Sequence, residues 1–351
     1  MDTRETPEQA ELRRAARQLA GQLGPSTVPD LDDQTRAKRL AAAVRDAGWL
    51  ELRDDRGDGG PLGDGVEASI LADGLAGTVA DVAFTGPTLA ADLARRAGVD
   101  HTEPSAVAST PDLLGAAVVE GAVTTTALHA IDLATDATST VYVLTPADRG
   151  YRLAHVQVDG AAIDAPDGAD LTRRTGLIPP GAPVVEVPGQ RRVLTDDDLA
   201  SWTALGLALT SADLVGLMRG VLDLSVAYAA ERRQYGVPVG SFQAVQHLLA
   251  EAHCLLEGSI SVALHASWAV DDLPPVEARA AGRVAKAYSV RAARTACETA
   301  VQVHGGIGNT WECMVHVFLR RALLSSQWFG DDGEQLRQLE RARLGTADGL
   351  S

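Results

Sequence analysis

Two short stretches carry residue types suited to holding a phosphate-rich molecule. "ERRQYGVPVGSFQ", residues 231–243, closes a long apolar pattern with two arginines and then turns through Gly and Pro. The planar fork of an arginine such as Arg232 matches two phosphate oxygens, and turn amides and hydroxyls add donors. The same residues also suit an ordinary helix end, because cations favour helix C-termini; Tyr235 would then fill a gap in the core. "QVHGGIG", residues 302–308, places three glycines in four positions. Glycine costs a helix about 1 kcal/mol relative to alanine, so such a cluster needs a reason. Either the chain turns here, or the missing Cβ atoms let a ligand approach the backbone, with Gln302 offering an amide to a base or ribose.

The elements around these stretches decide whether they can meet. In "SFQAVQHLLAEAHCLLEGSI" the apolar residues 242, 245, 248, 249, 252, 255, 256 and 260 fall on one helical face. "PPVEARAAGRVAKAYSVRAARTACETAVQV" reads as a further helix, rich in Ala and therefore able to pack closely. Before them, "LTDDD" starts a helix that Thr195 would cap, with aspartates placed to favour the helix dipole. Long helices joined by short loops predict an antiparallel bundle. Two of its helices and a turn separate Arg232 from Gln302, so both stretches can lie at one end.

The chain has 351 residues, of which 46% are apolar, which predicts a globular protein with more than one domain. Residues 1–104 read as an α-helical domain, 105–192 as a small β domain rich in Val, Thr and Gly, and 193–351 as the helical bundle. The net charge of −16 argues against nucleic acid. Cys254, Cys297 and Cys313 lack metal-ligand spacing and suit a reducing cytoplasm. The charged N-terminus has no apolar signal core, and "WTALGLALTSADLVGLM" contains Asp213, so it is read as a buried helix rather than a membrane span.

Together the two stretches resemble the acyl-CoA dehydrogenase family. "ERRQYGVPVGSFQAVQHLLAEAH" resembles its arginine, aromatic–Gly turn and Phe-Gln helix start. "VQVHGGIGNTWECMVHVFLRRA" resembles its Gly-rich segment and the helix after it. "AGWLELRDDRGDGGPLG" and "ADLTRRTG" add fainter likeness, so the resemblance covers nearly the whole chain. It implies a mainly α fold with a small β domain: an N-terminal helical domain, a middle β domain and a C-terminal four-helix bundle. The implied cofactor is FAD, with Arg232, Gln234, Tyr235, Phe242, Gln243, Gln302, Gly305 and Gly306 as the residues that bind it.

In that family a carboxylate removes the α-proton of an acyl thioester while the β-hydrogen leaves as hydride to the flavin. The Glu occupies one of two places, and here these hold Phe329 and Gly206. Asp331 or Asp332, shorter and two or more residues away, is a poor substitute for it, and Asp331 stays as the base of the alternative self-sufficient flavoprotein. The Asp and Arg that help hold the thioester are replaced by Ala204 and Leu207, and the stretch lining the flavin ring is reduced to "ASTPDLLGAA". The resemblance therefore implies the base-lacking subunit of a heteromeric enzyme of the actinobacterial, steroid side-chain type. It implies a cytoplasmic heterotetramer in which a longer subunit carries the Glu and most of the acyl-CoA site, with an electron-transfer flavoprotein or similar acceptor. A self-sufficient flavoprotein with other chemistry, and a non-catalytic scaffold, are the alternatives.

Other candidates have plainer readings. His247 and Glu251 share a helix face but His253 leaves it, so no metal site is expected. His304 is expected to hydrogen-bond within its loop, and Glu312 to cap the following helix. Arg173 and Arg174 are expected as a solvated or interface pair, and Trp202 and Trp328 as core or interface aromatics.

Overall fold

The computed structural model describes residues 4–100, 106–133, 138–159 and 169–344. Four helices come first: α1 (Pro7–Leu23), α2 (Gln34–Asp46), α3 (Gly65–Ala76) and α4 (Thr85–Ala97). Both α1 and α3 open with capping boxes, from Thr6 with Gln9 and from Asp64 with Glu67. Gly98 ends α4 in the left-handed conformation, a glycine cap. The Gly/Asp-rich loop after α2 is tied down by Arg53, whose guanidinium is buried against Asp92 and Asp271.

The β region forms one six-stranded sheet in the order β5-β2-β1-β3-β4-β6. Its strands are β1 (Ala106–Ser109), β2 (Leu128–Ala130), β3 (Thr138–Ala147), β4 (Gly150–Asp159), β5 (Gly176–Ile178) and β6 (Val185–Glu186). β3 and β4 pair along their whole length as an antiparallel hairpin, with Val141, Val143, Ala154 and Val156 turned to the core. Among the described strands the neighbouring pairs are antiparallel except β1 and β3, which run parallel. β1 and β5 are too short to show a period of two, which is why the sequence did not reveal them.

The C-terminal bundle is built from α5 (Asp196–Glu231), α6 (Gln243–Asp272), α7 (Pro275–His304) and α8 (Val315–Gln327), with α9 (Asp332–Leu344) against α7. Thr195 caps α5 as expected, accepting from the Asp198 amide at 3.1 Å. α5 is long and apolar enough to cross a membrane, but 94% of its apolar window is buried inside the fold, as in a core helix. It is covered by α3 on one side and by α6 and α7 on others. Small residues make this possible: a Cβ on Gly216 would stand 2.8 Å from Ala76 Cβ of α3. Likewise one on Gly282 of α7 would stand 2.8 Å from Leu207 Cβ of α5.

Candidate functional site

The two Gly-containing segments do meet at one end of the bundle. Tyr228, in the last turn of α5, stacks on His304 at the end of α7, with ring centroids 4.3 Å apart. Its hydroxyl donates to the His304 carbonyl at 3.3 Å. His304 is not a free base: its Nδ1 bonds the Ala300 carbonyl at 2.8 Å, and burial pushes its pKa down.

Beyond α5 the chain makes a tight hairpin of β7 (Arg233–Gln234) and β8 (Val237–Pro238). Its two central residues, Tyr235 and Gly236, both have positive φ, 53° and 82°, as a two-residue hairpin turn of this hand requires. A bulky side chain held there costs about 1–2 kcal/mol. Tyr235 nevertheless gains no burial from its own chain: it is 94% exposed, touching Phe242 edge-on at a centroid distance of 6.4 Å. It does not fill the core. Arg232, Gln234, Gln243 and Gln302 are also exposed, and Phe242 is half-buried. The first two turns of α6 contain no fully buried residue.

The glycines of the loop divide into two kinds. Gly308 is packed, since a Cβ there would stand 3.0 Å from the Val301 carbonyl. Gly305 has φ 66° and ψ −144°, a conformation almost confined to glycine. A Cβ on Gly305 or Gly306 would meet nothing within 4 Å. No contact among the described residues explains Gly306. These two glycines leave an open backbone surface at the end of α7, and Arg232 and Gln302 are exposed.

The other end of α5 is different. Gly206 lies under the ring of Phe329, and a Cβ there would stand 2.5 Å from its Cε2 and 2.6 Å from its Cε1. The two positions of interest thus touch each other. Phe329 is only 6% exposed, packs on Trp202 at 5.4 Å between centroids, and itself has φ 61°. Its backbone is held from both sides. Its amide donates to the Leu113 carbonyl at 2.8 Å, and its carbonyl accepts from the Gln335 side chain. Leu113 belongs to "ASTPDLLGAA", so this loop leans on the phenyl ring's turn rather than lining a cavity. Asp331 does not replace a base either: it accepts from the Glu334 amide at 2.8 Å at the start of α9.

Between the two ends runs an ionic cluster that the sequence reading missed. Asp213, buried in α5, accepts from Arg173 at 2.6 Å, Arg321 at 2.8 Å and Ser325 at 2.7 Å. Burial alone would raise the Asp213 carboxyl, but Arg173 and Arg321 override it and hold it below the usual range. Arg173 therefore corrects the expectation of a solvated pair: it is buried, and its guanidinium lies 4.7 Å over the Trp328 ring. Lys286 of α7 is fully buried and donates to the Ser325 carbonyl; burial pushes it down to about 7. The cluster ties the loop before β5 to α5, α7 and α8. Its signal was present in the sequence: an aspartate within an otherwise apolar helix must find a cation if buried.

One smaller expectation also changes. Glu312 does not cap α8, which starts after Met314 without a side-chain cap. His253 lies 3.7 Å from Glu257, both exposed, and among the described residues no group of three or more His, Cys, Asp or Glu is placed to hold a metal. Trp202 and Trp328 are core residues, as expected.

Comparison with known proteins agrees with this architecture. Residues 205–344 match the model of the acyl-CoA dehydrogenase C-terminal domain. The acyl-CoA dehydrogenase FadE34 of Mycobacterium tuberculosis is 34% identical over 200 residues, covering 56% of this chain and 27% of that protein. The acyl-CoA dehydrogenase IpdE2 of Mycolicibacterium smegmatis is 34% identical over 172 residues, covering 49% of this chain and 50% of that protein. The chain thus matches half or less of the length of these relatives. Among solved structures, the Tcur3481-Tcur3483 steroid ACAD superposes with a TM-score of 0.76, at 22% identity over 97% of this chain and 99% of that one. The ChsE4-ChsE5 complex of Mycobacterium tuberculosis superposes with a TM-score of 0.71, at 22% identity over 99% of this chain and all of that one. The chain carries an acyl-CoA dehydrogenase C-terminal domain over residues 205–344, set within an acyl-CoA dehydrogenase fold.

Proposed function

We propose that this chain is the base-lacking subunit of a flavin-dependent acyl-CoA dehydrogenase. In this reading it supplies nucleotide contacts to a longer partner subunit that carries the Glu. The observation that carries the reading is the contact between Gly206 and Phe329. Neither position holds a carboxylate, and the Phe329 ring fills the space that a side chain at position 206 would take.

FAD, when bound, supplies the hydride acceptor. Toward it, this chain's residues bind and orient only. Arg232 neutralises diphosphate charge, the Gly305–Gly306 backbone admits the adenosine, and Gln302 and Gln243 offer amides. Tyr235, held strained and bare at the hairpin tip, packs against the neighbour. The proton transfer takes place on the partner, where acyl-CoA is mainly bound, and an electron-transfer flavoprotein or similar acceptor reoxidises the complex. A solved structure of the same fold is named a steroid ACAD, which makes a bulky acyl-CoA the substrate to test first.

Co-expression with a longer, Glu-bearing homologue tests this. The expected product is a yellow complex that dehydrogenates acyl-CoA, while the chain alone retains little flavin. A chain that alone holds one flavin and dehydrogenates acyl-CoA contradicts the reading.

A further inference from the structure

Three helices turn helical faces toward one another and leave a space between them. Val66, Ile70 and Asp73 of α3, Val215 and Arg219 of α5, and Leu264 of α6 line a cavity of about 450 Å³, with Arg13 of α1 on its remaining side. That volume is within the roughly 300–1,000 Å³ of small-molecule sites. The aliphatic side chains form one wall, and the Ser69 and Ser267 hydroxyls beside it, 2.7 Å apart, bond each other. The charged groups gather at Asp73, where Arg13 and Arg219 both approach its carboxylate. The other charged groups on the lining are engaged. Glu5 accepts from Arg13 at 2.6 Å, Asp64 accepts from the Glu67 amide at 2.8 Å, and Arg4 has partners of its own.

Arg219 is the group that this cavity leaves unsatisfied. Its side chain is 26% exposed, and both its approaches to Asp73 are 3.5 Å, longer than an ordinary hydrogen bond. Asp73 is held more closely by Arg13. Among the described residues this is the one ion pair of Arg219, and its Nη1 donates to nothing. Arg36 is a satisfied counterpart: 12% exposed, it makes five hydrogen bonds of 3.1 Å or less. Arg17, one turn beyond Arg13, adds positive charge nearby. Burial lowers its pKa, Asp73 offsets this in part, Arg219 and Arg13 lower it further, and Asp223 opposes them. Glu5 serves Arg13 and Asp223 acts on Arg17, so Arg219 is left without a close carboxylate.

We propose that the cavity between α1, α3, α5 and α6 binds an apolar molecule with a carboxylate at one end. Its carboxylate accepts from Arg219, and its body lies along α3 toward Val66, about 10 Å away at 1.5 Å per residue. Arg13 neutralises Asp73, so that charge does not bar a second carboxylate. The site is separate from both places described above. Val215 follows Gly206 by about two and a half turns, which puts it on the side of α5 opposite Phe329. Neither Gly305 nor Arg232 lines the cavity.

Calorimetric titration of the full-length chain, in whatever assembly it purifies, with octanoate and with octanol tests this. Octanoate is expected to bind the wild type more tightly than octanol, which has the same chain without the charge. Loss of the charge-assisted bond is expected to weaken octanoate binding about tenfold in Arg219→Gln and less in Arg219→Lys, with octanol binding unchanged. Leu264→Trp, which fills the apolar part, is expected to abolish binding of both. Absence of octanoate binding to the wild type, equal affinity for octanoate and octanol, or unchanged octanoate affinity in Arg219→Gln overturns the proposal. If Arg219→Gln melts early, Leu264→Trp carries the same test, and unchanged octanoate affinity there also overturns it.

Discussion

The two ends of α5 contrast in what occupies the space beside a glycine. At Gly206 the space is taken by Phe329, which is itself fixed by Leu113, Trp202 and Gln335. At the far end, a Cβ on Gly305 or Gly306 would meet nothing within 4 Å among the described residues. A glycine crowded by its own fold answers to packing, whereas one left open needs a cause outside the chain. The difference separates an end closed from within from an end that, in the proposed reading, holds a nucleotide.

Asp213→Ala strikes the cluster joining the two ends. It leaves Arg173 and Arg321 buried without the carboxylate they share, with an expected loss of about 3–5 kcal/mol by chemical denaturation. Phe329→Ala removes the plug and is expected to cost about 3–5 kcal/mol. The plug and its glycine should also be coupled. Gly206→Ala alone forces the ring aside, at a cost of about 1–3 kcal/mol. In the Phe329→Ala background that cost should largely vanish, and strict additivity in the double-mutant cycle breaks the account of the closed end.

Gly306→Ala makes the matching test at the open end. With no neighbour to meet, it should change stability by less than about 0.5 kcal/mol, yet lower the flavin retained by the complex. A large stability loss there would make Gly306 a packing residue after all.

The buried lysine gives a pH-dependent check on the cluster. Burial lowers Lys286 from 10.5 to about 7. Between these values the unfolded chain binds a proton that the folded chain does not, so this group makes stability rise as pH climbs. Below about 7 the lysine is charged in both states and contributes no slope. The pH dependence of unfolding should therefore be shallower in Lys286→Met than in wild type between pH 7 and 10; equal slopes contradict the burial.

Much of this was legible in the residues. The helical periods of α6 and α7, the Thr195 cap and the join of "ERRQYG" to "HGGIG" all followed from local spacing and short connections. What escaped was long-range. Arg173 meets Asp213 only because the loop before β5 folds against the bundle, and no local pattern marks a partner 40 residues away. Phe329 covers Gly206 because the turn between α8 and α9 lies across α5. The sequence shows that both positions lack a carboxylate, but only the fold shows that each accounts for the other. Tyr235 could be read as a core filler or as a flavin-binding residue, and only its exposure in the fold removes the first reading.

The central claim is that this chain binds a nucleotide it does not use. It is tested most directly by measuring flavin absorbance per complex after Arg232→Ala in this chain alone, with the partner unchanged. The account predicts an intact complex with flavin lost or readily dialysed away. An Arg232→Ala complex with full flavin content and unaltered flavin affinity would contradict it.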